Sequence, residues 1–263
     1  MKRKLAILML LVFAMTAVLA GCGGDEVASE DLVYAVEAGS AGEAIANELG
    51  YKTNVVSAQS DALMEVASGT SDAAIIDLLM AGAMIGEGTS YEDLVYTEKL
   101  TSEQYGIGCR KGSDLVSFIN SVLAETYADG TMTEVATTYG LQAAILEQPE
   151  SEFVQAEADS DVAYIKEKGT LLVGITEYAP MDYKDENGEW IGFDADMARI
   201  VAEKLGVNVE FVVIDWDMKT MELDSKNIDV VWNGMTLTDE VKAGMDCSNP
   251  YCDNAQVVVV PAE

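Results

Sequence analysis

The chain has 263 residues, 46 of them acidic and 15 basic, and it contains no histidine. That composition excludes imidazole acid/base chemistry, His-ligated zinc or haem and any Ser-His-Asp triad. A formal charge of −31 opposes nucleic-acid partners, which need clustered Lys and Arg. With 49% hydrophobic residues the chain can bury the core of one large or two smaller domains.

The N-terminus reads as an export signal over residues 1–21. Lys2, Arg3 and Lys4 precede an apolar run, Leu5 to Leu19, of about 15 residues, short for a membrane span of roughly 20. The run ends in Leu19-Ala20-Gly21-Cys22, which resembles the lipobox of bacterial lipoproteins. Cleavage before Cys22 and its diacylation would leave residues 22–30 as an anchor linker. The product would be an extracytoplasmic protein, lipid-anchored to the bacterial cell membrane. An uncleaved anchor or an ordinary signal peptide is the plainer alternative. Beyond it no stretch approaches 18 apolar residues, so the body reads as soluble.

Strands and helices then alternate. Leu32–Val36 is a short apolar strand candidate, and a helix runs from Ser40 to Leu49 with Gly50 behind it. Ser40 and Glu43 have the spacing of a capping box. Asn54–Ser57 suggests a second strand, and a helix through Ala62, Leu63 and Val66 ends at Gly69. Ala73–Ile76 is a buried strand ending at Asp77, and Leu115–Tyr127 and Met132–Tyr139 read as helices. Residues 146–160 are acidic and polar, the composition of a linker. The pattern restarts with the strand Leu171–Ile175, a hairpin turn at Asp185–Gly188, and a helix Phe193–Leu205 closed by Gly206. Strands follow at Val207–Ile214, Ile228–Trp232 and Val257–Val260. Alternation at this pitch implies a parallel-rich α/β sheet, with ligands at the carboxyl ends of its strands. Without histidine, and with one close pair Cys247/Cys252 beside a lone Cys109, a metal site is not expected. Cys109 reads as a small buried strand residue, and a Cys247–Cys252 disulfide stays open.

Several words are specific. Residues 163–260 hold Tyr178-Ala-Pro-Met, Asn187-Gly-Glu-Trp-Ile-Gly-Phe-Asp-Ala-Asp196, Ile214-Asp-Trp-Asp217, Ile228-Asp-Val-Val-Trp-Asn-Gly-Met-Thr-Leu-Thr238 and Ser248-Asn-Pro-Tyr251. This segment resembles the first half of the polar amino-acid solute-binding proteins of ABC transporters, the type II periplasmic binding proteins. Residues 31–141 hold Ala38-Gly-Ser40, Ser68-Gly-Thr-Ser-Asp-Ala-Ala-Ile-Ile-Asp77, Tyr105-Gly-Ile-Gly-Cys-Arg-Lys111 and Asp129-Gly-Thr131, and resemble that family's second half. The resemblance therefore implies a two-lobed α/β Venus-flytrap fold with its halves in circularly permuted order. The expected organisation is lobe II over 31–98, a hinge and the rest of lobe I over 99–144, an acidic linker over 145–162, and the main part of lobe I over 163–263. The linker's 18 or so residues reach roughly 60 Å when extended. Ends near residues 31 and 260 would fall where the family's first inter-lobe strand lies. That leaves the segment near Thr97–Gln104 as the one covalent link between lobes, which would open more freely or be held by non-covalent pairing of Val257–Val260, with domain-swapped dimers as another outcome.

The resemblance also assigns a site. Tyr178 and Trp216 would sandwich the ligand side chain, and Asn233, Gly234 and Thr236 would offer strand-end hydrogen bonds. Ser40 would place a helix N-terminus at a carboxylate, while Asp77 would take an α-ammonium. Thr238 reads equally as a helix N-cap. The family's carboxylate-clamping arginine is replaced by Val241, with Lys242 about 100° away on the helix. Where members selecting basic side chains carry an acid, this chain has Ile175, and Glu177 lies two residues on. The implied function is a lipid-anchored binding component of an ABC importer, using no cofactor and catalysing no reaction. It would pass an amino acid or small amine to a permease and ATPase. The alternatives are a binder of a cationic amine lacking a carboxylate, a same-fold enzyme such as a dehydratase, and a sensor domain.

Overall fold

The computed structural model describes residues 31–262; the signal segment, the anchor linker and Cys22 lie outside them. In chain order the first part contains β1 (Val33–Glu37), α1 (Ala41–Leu49), β2 (Lys52–Val56), α2 (Gln59–Ala67), β3 (Ala73–Asp77), α3 (Leu78–Met84) and β4 (Leu94–Lys99). It continues through β5 (Glu103–Cys109), α4 (Leu115–Asp129), α5 (Thr131–Thr138) and α6 (Asp161–Lys168). The last part contains β6 (Thr170–Ile175), β7 (Tyr183–Lys184), β8 (Trp190–Ile191), α7 (Phe193–Leu205) and β9 (Asn208–Val213). After a 3-10 turn at Trp216–Met218 come α8 (Lys219–Asp224), β10 (Val230–Thr236), α9 (Asp239–Gly244), β11 (Asp246–Cys247), β12 (Cys252–Asn254) and β13 (Gln256–Pro261).

Two sheets share one plan. The first has the order β2-β1-β3-β13-β4 and the second β9-β6-β10-β5-β11, with β12 also pairing β5. In each, three strands run parallel and the fourth is antiparallel to its neighbours. That antiparallel strand is delivered by the other lobe. β4 of the first sheet leads through Leu100–Ser102 into β5 of the second, and β12 of the second leads through Ala255 into β13 of the first. The crossings bond to each other, with Leu100 N–H donating to the Gln256 carbonyl at 2.8 Å and Gln256 N–H to Thr101 Oγ1 at 2.7 Å.

Two expectations are corrected here. Residues 256–261 belong to the first lobe's sheet, not to the lobe built by 163–254, because β13 pairs with β3 and β4. The lobes are therefore joined by two covalent crossings rather than by the Thr97–Gln104 segment alone. β1 and β13 lie on either side of β3, and Ala35 and Val259 both pair with Ala74. The start of β1 and the end of β13 thus leave the same edge of the sheet two strand spacings apart, about 10 Å.

Local sequence accounts for most boundaries. Ser40 Oγ accepts the Glu43 N–H at 3.1 Å and caps α1, but Glu43 reaches back to the Gly39 N–H (2.7 Å) rather than to Ser40 itself. Gly50, Gly130, Gly169 and Gly206 end or join helices in the left-handed conformation. Asp185–Gly188 turns the β7–β8 hairpin, closed by Asp185 N–H on the Glu189 carbonyl. The 146–160 segment has no regular element, yet it is not a free tether. Leu146 N–H donates to the Tyr251 carbonyl, Phe153 meets the Phe118 ring at 5.3 Å, and Asp114 accepts from Ala156 N–H and Ser160 Oγ. Cys109, Cys247 and Cys252 are all free thiols, so the open Cys247–Cys252 pair is not bonded.

Candidate functional site

The carboxyl ends of β1, β3 and β10 converge on a cavity of about 530 Å³ between the lobes. This is the location that parallel α/β sheets give their ligands. Ser40 and Asp77 line it from the first lobe, and Trp216, Asn233, Gly234 and Thr236 from the second. The lobes touch at its rim, where Gly39 has φ +67° and a Cβ would lie 2.7 Å from the Asp217 Cα. Only glycine fits that close approach.

Asp77, 4% exposed, is the hub of a network drawn from both lobes. Oδ1 accepts from Tyr105 OH (2.7 Å), Gln256 Nε2 (3.0 Å) and Asn254 Nδ2, and Oδ2 accepts from Gln59 Nε2. Glu103 shares the two amides and accepts from Thr236 Oγ1 at 2.9 Å. Burial first, then repulsion from Glu103, push the Asp77 carboxyl up to about 7 against those hydrogen bonds. Oδ2 keeps room for a further donor.

Other expected residues are differently committed. Asn233 exchanges hydrogen bonds with Thr176, accepting its N–H at 3.0 Å and donating to Oγ1 at 2.8 Å. Gly234 has φ +56° and donates its N–H to Asp194 Oδ2 at 2.7 Å. Thr238 caps α9 through the Val241 N–H, and Val241 lies in the cavity wall. Tyr178 and Glu177 do not line the cavity. Glu177 is exposed. Tyr178 is 1% exposed, held with its hydroxyl 2.5 Å from Tyr105 OH and its ring under Gly234, where a Cβ would strike Cε1 at 2.4 Å. The aromatic pair therefore does not form. Trp216 stands at the cavity alone, with the Lys219 ammonium 4.8 Å from its ring centroid.

Two lining residues went unforeseen. Lys219 reaches across the lobes, donating to the Gly39 and Trp216 carbonyls, each at 3.0 Å. Nothing in the sequence marks it. Glu37 closes an apolar strand, 3% exposed, the same signal that singles out Asp77. Burial first, then Asp77, push its carboxyl up to about 8, with Lys219 and a Gln59 hydrogen bond opposing.

Residues 171–263 match the family model of bacterial extracellular solute-binding proteins, family 3. That segment, about a third of the chain, is what carries the similarity to this family. The L-cystine-binding protein TcyJ of Escherichia coli is 42% identical over 88 residues, 33% of each chain. The solved structure of an ancestral cationic amino acid solute-binding protein is 44% identical over 32% of this chain and 37% of that one, with a TM-score of 0.31. Most of the relatives are binding proteins, although a cyclohexadienyl dehydratase of Pseudomonas aeruginosa is 32% identical over 94 residues, 35% of each chain. The chain spans about a third of the length of the curated relatives it matches. Among the described residues no helix is long and apolar enough to cross a membrane, and no group of three or more His, Cys, Asp or Glu could hold a metal ion.

Proposed function

We propose that this protein is the ligand-capturing component of an ABC importer, anchored through a lipid on Cys22. In this reading it closes on an amino acid or related amine and delivers it to a permease driven by an ATPase. The observation that carries it is the cavity enclosed between two sheets of the same strand plan, floored by strand ends and bridged by two crossings. Two short strand-to-strand crossings give a hinge that absorbs opening with few dihedral changes. The reversed order of the family's words, and the shared edge from which β1 and β13 leave their sheet, support a circular permutation whose join is the 146–160 segment.

A second reading, a cationic amine without a carboxylate, is favoured by the lining itself. Val241 occupies the wall where the resemblance puts an arginine. Lys219, the one basic residue lining the cavity among the described residues, is committed to two carbonyls. A thermal-shift panel on the full chain in detergent tests both, running the twenty amino acids beside linear amines and choline-like cations. A ligand at 100 times its Kd stabilises the fold by about 2.7 kcal/mol. Response to amino acids alone supports the first reading and response to amines alone the second. Silence to every probe would sink both.

A further inference from the structure

Among the buried side-chain polar atoms of the described residues that line the cavity, one has no hydrogen-bond partner. Glu37 is 97% buried, 3% exposed, and its Oε1 has no hydrogen-bond partner among the described residues. Ionised, that oxygen lacks a donor; protonated, it lacks an acceptor for its own hydrogen. A buried carboxyl left so is unusual enough to require a cause. It lines the interlobe cavity beside Asp77, and among the described residues six carboxyl side chains line that cavity against the single Lys219 ammonium. The charged groups around it are Asp77 at the end of β3, Asp61 on α2 and Lys219 on α8, with Gln59 giving a side-chain hydrogen bond. Lys219 attracts its charge but supplies Oε1 with no hydrogen bond, its ammonium donating instead to the Gly39 and Trp216 carbonyls.

We infer that Glu37 is a second cation-recognition point, so that the ligand carries two cationic groups, one received at Asp77 and an ammonium or guanidinium at Glu37 Oε1. The inference rests on the binding function proposed above and narrows it to dications: amino acids with basic side chains, or linear diamines. A cationic N–H supplies the missing donor and the missing countercharge together, and charge-assisted bonds of this kind are the stronger class. The two sources share the chemistry at Glu37 and differ in whether a carboxylate accompanies it.

The test is isothermal titration of the full chain in detergent with arginine, lysine and 1,4-diaminobutane against citrulline, norleucine and butylamine, which match them in shape without the second charge. The dications are expected to bind at least tenfold more tightly than their counterparts. Glu37→Gln should cut that preference by tenfold or more, and Glu37→Asp, charged but shorter, should keep part of it. Below pH 8 the dications should also release a proton on binding, read from the dependence of the heat on the buffer's ionisation enthalpy. Equal binding of arginine and citrulline, or a preference that survives Glu37→Gln, overturns the inference and leaves the binding function standing. If no amino acid or amine binds, the binding function falls and the inference with it.

Discussion

Arg110, the residue after β5, offers the sharpest test of how the second lobe is held together. Its side chain is 8% exposed and spends its donors on α6, α8 and the approach to β10. Nε donates to Asp161 Oδ2 at 3.1 Å while Nη2 sits 3.0 Å from Oδ1, and Nη1 donates to the Leu223 (3.2 Å) and Ile228 (2.9 Å) carbonyls. Nη2 also lies 3.5 Å from Asp229, a fully buried carboxylate that Lys168 meets at 2.6 Å. Arg110→Met keeps much of the volume and removes every one of these donors. Two buried carboxylates lose a partner, a loss worth about 3–5 kcal/mol. For a chain of this size that lowers Tm by about 6–20 °C. Urea unfolding at pH 7, followed by circular dichroism, measures it. Adding Asp161→Asn should return part of the loss, because a stranded charge is removed. A single-variant change under about 1 kcal/mol would refute the argument that this network closes the lobe. Although burial pushes the Asp161 carboxyl up, hydrogen bonds from Arg110 and Ser113 outweigh it and hold it below its ordinary value. Its contribution is therefore complete above the usual carboxylate range and is lost as pH falls below it, an acid limb that Arg110→Met should lack.

Glu37 and Asp77 titrate in the folded protein near 8 and 7, above their unfolded values, so the fold holds more protons than the open chain between about pH 4 and 8. Stability of the ligand-free protein should fall as pH rises across that window, and Glu37→Gln should flatten the Tm-against-pH curve; an unchanged slope would contradict the burial argument. Gly39→Ala forces a methyl against the Asp217 backbone at a positive φ, and should lower ligand affinity at least tenfold while small-angle scattering shows a wider molecule. An unaffected Kd would mean that the rim contact is irrelevant to closure. Joining residue 262 to residue 31 through about five Gly/Ser residues and opening the chain near residue 152 should give the same fold and ligand profile, since the ends to be joined lie about 10 Å apart. Failure of that variant to fold would argue against the permutation.

Periodicity and caps alone settled much of the first sheet and all of α7, whose apolar face and Gly206 stop are local features. The resemblance assigned Ser40, Asp77, Trp216 and the Asn233–Thr236 run to one site, and all of them line the cavity; strand-end geometry alone does not bring together residues carried by two different sheets. What it could not reach was anything resting on contacts between distant segments. β13 reads as a plain apolar strand, and only pairing with β3 and β4 assigns it to the opposite lobe and doubles the hinge. Tyr178 has the neighbours of a ligand-stacking residue, yet the packing of Gly234 and the pull of Tyr105 put it under the floor. Lys219 gains its place from a carbonyl 180 residues away. The lone oxygen of Glu37 is likewise a property of its surroundings: whether a buried carboxyl is satisfied depends on which side chains the fold brings to it, and those are scattered along the chain.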